Sequence, residues 1–225
     1  MTTEHTAAKQ FGRGDDGINR VWKNFRARNA GREAHQQLST ASHGKCYFCE
    51  RVNAKSIDHY YPKERYPKQM FRWNNLLLCC RDCNNAKGDY FPFQDRRPVL
   101  LDPTTDEPLD FFVWDLQTGA MEGVSDPGPG HRATVTRDQL DLDDGPLRDE
   151  RRVQFNRVLQ YLADVCNEHP IRAETRQRLE EELRAERPYL GIIRFLFRAQ
   201  NKYRPLVNAA RAKLPDIDAW VAAWL

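Results

Sequence analysis

No run of apolar residues in this 225-residue chain approaches the roughly 20 that a membrane span needs, so no transmembrane helix is expected. The opening MTTEHTAAKQFGRGDD has no apolar stretch behind a basic one, so no secretory leader is expected either. No segment repeats, and the C-terminal tail lacks a clear helix-turn-helix signature, which argues against a built-in sequence-recognition module. Cysteine is scarce, at six residues, and four of the six fall in two C-x2-C pairs. In a chain without export signals such pairs read as metal thiolates rather than disulfides, and a reducing cytoplasm is expected.

Hydrophobic residues make up 40% of the chain and charged residues 30%, with a mean hydropathy of −0.79. That suits a soluble protein with a modest core, either one large domain or a small domain with appendages. The net charge of +3 conceals segregation. Residues 45–97 carry 11 basic and 6 acidic side chains, whereas residues 98–150 carry 3 and 13. The first imbalance is either solubilising or suited to a polyanion. The second is either a solvated loop region or a docking surface for a basic partner.

Four segments are expected: a polar N-terminus and basic helix over 1–40, a metal module over 41–97, an acidic hairpin and loop region over 98–146, and a helical region over 147–225. Residues 1–17 read as flexible. Ile18, Val21, Trp22 and Phe25 predict a helix, broken near Gly31. Short strands are expected at Ser56–Tyr61 and Asn75–Cys79, and a short helix from Asn84 ending at Gly88. Phe111–Gly123 reads as a hairpin and Asp126–Gly130 as an irregular loop. Val153, Phe155, Val158, Leu159, Leu162 and Val165 predict one amphipathic helix. Further helices are expected at 173–186, 190–206 and 217–225. The apolar clusters around Ile192–Phe197 and Trp220–Leu225 exceed what a second layer needs, so part of them is expected to bury against another chain.

Cys46, Cys49, Cys80 and Cys83 can close one tetrahedral zinc site with no open position, which makes it structural. Zinc would supply folding energy that a small ββα unit lacks. Cys79 is out of register and is expected to point into the core, and Cys166 reads as a plain core residue. Between and after the pairs stand Asp58, His59, Asn75 and Asn84. Histidine suits a general base near neutral pH. Carboxylate and carboxamide oxygens suit Mg2+. Asp58 and His59 are adjacent on a strand, so their side chains are expected to diverge, as in-line attack on a phosphodiester requires.

The series Cys46-x2-Cys49, Asp58-His59, Asn75-Leu76, Cys80-x2-Cys83-Asn84-x2-Lys87 resembles the HNH endonucleases of the zinc-stabilised ββα-metal type. The resemblance implies a small zinc-bound ββα-metal core, and with the β-hairpin insertion and the largely helical C-terminal region read from the residue patterns the expected fold is α+β. It implies His59 as general base, Asp58 and Asn84 as ligands of a catalytic Mg2+ or Mn2+, and Asn75 as a brace of the loop carrying the base. Asn84 stands where a His often does, which argues for Mg2+ or Mn2+ over Zn2+ there. Lys87 could touch a backbone phosphate, or equally be a solvated helix residue. A longer pattern over roughly residues 43–165 is similar to the HNH subunits of bacterial anti-phage systems, the Septu pair and retron-associated nucleases. That implies a nuclease acting on DNA, or possibly RNA, in the bacterial cytoplasm beside an ATPase of the ABC/SMC-like type. The rival readings are a zinc-stabilised binding module without chemistry and a stand-alone restriction-type HNH enzyme.

Overall fold

The structure is a computed structural model that describes residues 15–52, 54–124 and 129–222. Residues 1–14, most of the Asp126–Gly130 loop and the last three residues of the Trp220–Leu225 cluster lie outside it, whereas residues 15–17, read as flexible, belong to the first helix. The chain is α+β and divides into two units, Met1–Asp106 and Glu107–Leu225. No helix among the described residues is long and apolar enough to cross a membrane.

The first unit begins with α1 (Asp15–Ala27) and α2 (Asn29–Ala41). Ile18 and Trp22, four apart on α1, are buried, as the apolar spacing requires. The helix breaks at Arg28, whose extended backbone (φ −88°, ψ 167°) separates α1 from α2. The expected break at Gly31 falls three residues too late, because that glycine serves another purpose. A Cβ on Gly31 would stand 2.3 Å from the Phe25 carbonyl oxygen and 2.6 Å from Arg26 Cα, so glycine lets α2 close on the end of α1.

After the first cysteine pair the chain forms β1 (Ser56–His59), which pairs antiparallel with β2 (Leu76–Cys79). The register sets Asp58 opposite Leu77 and His59 opposite Leu76. Both strands are shorter than expected. Tyr60 and Tyr61 leave the ladder, and Asn75 lies in a 3-10 turn, Trp73–Asn75. α3 (Arg81–Lys87) starts three residues before Asn84, capped by Cys80 Sγ accepting from the Cys83 N–H at 3.4 Å. It ends at Gly88, whose φ of +50° favours glycine. A two-residue hairpin follows, β3 (Phe93–Gln94) and β4 (Arg97–Pro98), turned by Asp95 and Arg96 with positive φ at both, as a type I′ turn needs. Leu76, Leu77, Leu78, Met70, Phe91 and Leu100 fill the core. Tyr60 donates its hydroxyl to the Leu100 carbonyl at 2.7 Å, which ties residues past 97 into this unit.

The second unit opens with a short helix, α4 (Pro108–Phe111), and the expected hairpin, β5 (Phe112–Trp114) with β6 (Met121–Gly123). α5 (Pro129–Gln139) stands where an irregular loop was expected over Asp126–Gly130 and no element directly after it. α6 (Gly145–Asn167) buries Phe155, Val158, Leu162 and Val165, while Val153 is 54% exposed and drops out of the apolar face. α7 (Ala173–Glu182), α8 (Leu190–Arg198), α9 (Arg204–Lys213) and α10 (Ile217–Ala222) complete the unit. The expected helix over 190–206 is broken because Asn201 caps it, donating Nδ2 to the carbonyls of Leu196 and Ala199 at 3.1 Å each. Ile192, Ile193, Leu196 and Phe197 are all buried inside this unit, so that cluster offers no docking face.

The acidic middle has a local explanation. Asp102, Asp106, Glu107, Asp115, Asp143 and Asp144 each accept a backbone N–H, from Thr104, Asp102, Leu109, Gln117, Met121 and Leu147 respectively. Carboxylates are favoured at such turns and N-caps. Much of the negative charge therefore closes turns and helix ends.

Candidate active site

The first cysteine pair sits in a tight turn between α2 and β1. Cys46 N–H donates to Arg51 O at 2.8 Å, and Glu50, at φ 62°, donates to Cys46 O. Tyr47 N–H donates to Leu78 O at 3.0 Å, pinning the turn to β2. The second pair spans the step from β2 into α3. All four sulfurs, of Cys46, Cys49, Cys80 and Cys83, lie within 4.8 Å of one another, with Cys49 and Cys80 at 3.7 Å. Tetrahedral zinc with bonds of about 2.3 Å sets its sulfurs about 3.8 Å apart, so the donor set can hold a metal such as zinc. Among the thiols alone, hydrogen bonds from Cys49, then Cys79, Cys80 and Cys83, draw the negative charge onto Cys46, and the same contact pushes Cys49 up. A dication bound between them would hold all four as thiolates. Cys79 is fully buried, as expected, yet its sulfur stands 3.8 Å from Cys46 Sγ, at the edge of the cluster. Cys166 is half-buried on α6, and its thiol points to the Leu206 carbonyl.

Beside this cluster is a cleft of about 500 Å³ whose walls include Asn19, Trp22 and Arg26 of α1, Asp58 and His59 of β1, and Asn84 of α3. Adjacent strand residues diverge, yet Asp58 and His59 both line the cleft. His59 is buried, with Nε2 3.0 Å from the Met70 carbonyl. A carbonyl only accepts, so Nε2 carries the hydrogen and Nδ1 keeps its lone pair. Burial, then the charge of Lys63, lowers the imidazole to about 4, which leaves it neutral at pH 7. The Trp22 ring meets it edge-on, centroids 4.4 Å apart.

Asn75 holds the loop between β1 and Met70. Its Oδ1 accepts from Tyr61 N–H at 2.7 Å, and its Nδ2 donates to the carbonyls of Tyr61 and Gln69 at 3.1 and 3.0 Å. Asn84 is half-buried, and its side-chain amide makes no hydrogen bond to another described residue. Asp58 is buried, and its Oδ2 has no aligned hydrogen-bond donor. A buried carboxylate oxygen left over and a free amide oxygen on one cleft are hard donors, and this pair fits a cation of the Mg2+ or Mn2+ kind that takes its remaining ligands from water or phosphate.

Lys87 corrects its expectation on both sides. It reaches neither solvent nor a surface where phosphate could lie. Its side chain is fully buried, with Nζ 3.1 Å from Asp58 Oδ2 and donating to His59 O at 2.7 Å. The ammonium donates to Oδ1 at 3.4 Å and meets Oδ2 only as a charge, which leaves Oδ2 without an aligned donor. Burial pushes the Asp58 carboxyl up, and Lys87 opposes this. Lys87→Met should destabilise the protein by about 3–5 kcal/mol by leaving a buried carboxylate without its counter-charge. Denaturant titration of Asp58→Asn/Lys87→Met should recover most of the loss. Equal stability of Lys87→Met and wild type would remove the strut.

The α1 side of the cleft was not expected. The spacing of Ile18, Trp22 and Phe25 marked a buried face, but nothing in the sequence named His59 as its neighbour. The Met70 carbonyl carries no sequence signal at all.

No family model matches the chain. It is 35% identical over 94 residues to Septu protein PtuB of Bacillus thuringiensis, covering 38% of this chain and 35% of that protein. It is 28% identical over 116 residues to Septu protein PtuB of Bacillus mycoides (strain KBAB4), covering 38% and 39%. It is also 33% identical over 91 residues to protein ea31 of Escherichia phage lambda, covering 39% and 30%. The chain therefore spans about a third of the length of the curated relatives it matches. The resemblance to the HNH nuclease subunit of the Septu defence system, drawn from the longer pattern over roughly residues 43–165, rests on the two PtuB matches as well.

Proposed function

We propose that this chain is a metal-dependent HNH endonuclease with a ββα-metal core formed by β1, β2 and α3, cutting phosphodiesters of DNA, or RNA, in anti-phage defence. One observation carries the reading. A neutral imidazole with its Nδ1 lone pair free shares a cleft with an unsatisfied buried carboxylate oxygen and a free carboxamide.

In this mechanism His59 Nδ1 takes the proton of the attacking water, while Nε2–H stays on the Met70 carbonyl and fixes the ring. Asp58 and Asn84 would hold Mg2+ or Mn2+, which would supply charge neutralisation for the phosphate and the departing oxygen. Asn75 keeps the loop from Tyr61 to Gln69, and so the Met70 carbonyl, in place. Cys46, Cys49, Cys80 and Cys83 would hold zinc, which would tie the turn before β1 to the start of α3, and so help to place Asn84. The resemblance to Septu protein PtuB supports an ATPase partner of the ABC/SMC-like type and a bacterial cytoplasmic setting.

The test is cleavage of plasmid DNA and of a single-stranded RNA by purified full-length protein, alone and with the partner co-purified from its native cell, in Mg2+ or Mn2+ against a chelator control. Metal-dependent nicking supports the proposal, and no cleavage under any of these conditions defeats it. A zinc-stabilised binding module is the second reading. The observation favouring it is Lys87, which already neutralises the carboxylate that catalysis would need. Nucleic-acid binding without any cleavage is its signature.

A further inference from the structure

α1 presents Asn19, Trp22 and Arg26 to the cleft, at positions i, i+3 and i+7 on one helical face. Trp22 is buried against His59 and stacks on Phe25, centroids 5.3 Å apart. Arg26, one turn on, is exposed. The other cations on the cleft are engaged: Lys63 with Glu64, and behind the wall Lys87 with Asp58. The Arg26 guanidinium makes no hydrogen bond or ion pair to another described residue. Asp89, the remaining carboxylate of the cleft, does not pair with it.

The backbone beneath Arg26 is also unusually constrained. Gly31 brings α2 so near that a Cβ would collide with Phe25 O and Arg26 Cα. A solvated arginine on a basic helix needs no such pedestal. A guanidinium that must meet a ligand in one orientation gains from it, because a planar fork binds phosphate oxygens in pairs and loses less freedom when its base is fixed. The first unit also carries 18 basic and 12 acidic side chains, a balance suited to a polyanion.

We propose that Arg26 contacts a backbone phosphate next to the bond served by His59, so that α1 is a wall of the substrate site and Arg26, rather than Lys87, is its phosphate-binding residue. This rests on the endonuclease reading and assigns its substrate contact.

The experiment compares full-length wild type, Arg26→Ala, Arg26→Lys, Arg20→Ala and Lys23→Ala on a short fluorescein-labelled DNA duplex, measuring both kcat/KM and equilibrium binding. Arg20 and Lys23 are exposed on the same helix but do not line the cleft, so they report bulk charge. Arg26→Ala should lower kcat/KM about 10–100-fold, the worth of a charged hydrogen-bonded contact. Arg26→Lys should recover part of this, and the two controls should stay within about 3-fold by screening of exposed charge. Replacing single phosphates with uncharged methylphosphonates should cost wild type that same factor at one position and cost Arg26→Ala nothing there. Loss equal to that of the controls, or no phosphate whose neutralisation couples to Arg26, overturns the inference. If wild type binds the duplex but cuts nothing, the endonuclease reading fails while the same cycle on binding still decides the Arg26 contact.

Discussion

His59→Gln is expected to lower cleavage about 10²–10⁴-fold, the usual worth of a general base, while leaving the fold intact. The choice of glutamine follows from the two ring nitrogens. Nε2 donates to the Met70 carbonyl, and Nδ1 keeps the lone pair that the proposed base would use. A glutamine amide nitrogen reaches about as far as Nε2, so it can keep the bond to Met70 and the position of that loop, but it offers no basic nitrogen where Nδ1 stood. His59→Ala removes both functions and also the edge contact with Trp22. It should therefore lose activity to the same degree and stability as well, by about 1–3 kcal/mol for a buried acceptor left unpaired. The pair of variants separates base from brace. Rates of plasmid nicking and midpoints of urea unfolding, measured side by side, should show equal catalytic loss and unequal stability loss. Wild-type cleavage by His59→Gln would remove His59 as base.

Sequence spacing made some of this site legible and hid the rest, for physical reasons. A C-x2-C pair is a local object: two sulfurs on one turn need only the residues between them. The cluster of Cys46, Cys49, Cys80 and Cys83 could thus be read from spacing, and its sulfurs do meet. The order Asp58-His59 was equally plain, but the surroundings that set their properties come from far along the chain. Trp22 arrives from α1, the Met70 carbonyl from a loop, and Lys87 from the end of α3. A lysine in a polar stretch gives no sign of burial, since only the fold supplies the carboxylate that makes burial tolerable. The acidic stretch over 98–150 also hid local roles. Charge counting sees thirteen carboxylates, while six of them accept backbone N–H groups, five at turns and helix starts and Asp143 from the strand residue Met121. The helix expected to run from Leu190 to Leu206 failed on Asn201, whose side chain competes for backbone carbonyls and ends α8. The α+β character survived these errors because it depends on periodicity over many residues.

Removing the zinc is expected to have the largest effect of any change to the chain. The parts that zinc would join are each marginal alone. β1 and β2 are four residues long and form a two-stranded sheet, too small to stand by itself. α3 has seven residues, far below the length at which an isolated helix persists. Structural zinc contributes about 10–16 kcal/mol of apparent binding energy near pH 7, comparable with or greater than the whole stability of a typical domain, about 5–15 kcal/mol. Cys49→Ser should therefore give a first unit that is unfolded or insoluble, and a strong chelator should do the same slowly to the wild type. Elemental analysis should find about one zinc per chain in wild type, the capacity of a single four-thiolate site. Cys79→Ala is the control. Its sulfur is close to Cys46 but outside the group of four, so the variant should keep its zinc and lose only the packing of a small buried side chain. The two perturbations also differ in what they do to catalysis. Zinc loss should abolish fold and cleavage together, because α3 carries Asn84 and Lys87, whereas His59→Gln should abolish cleavage alone. A well-folded, zinc-free wild type would show that the four thiols pack without a metal, and a zinc-free Cys79→Ala would show that the ligand register is shifted by one residue.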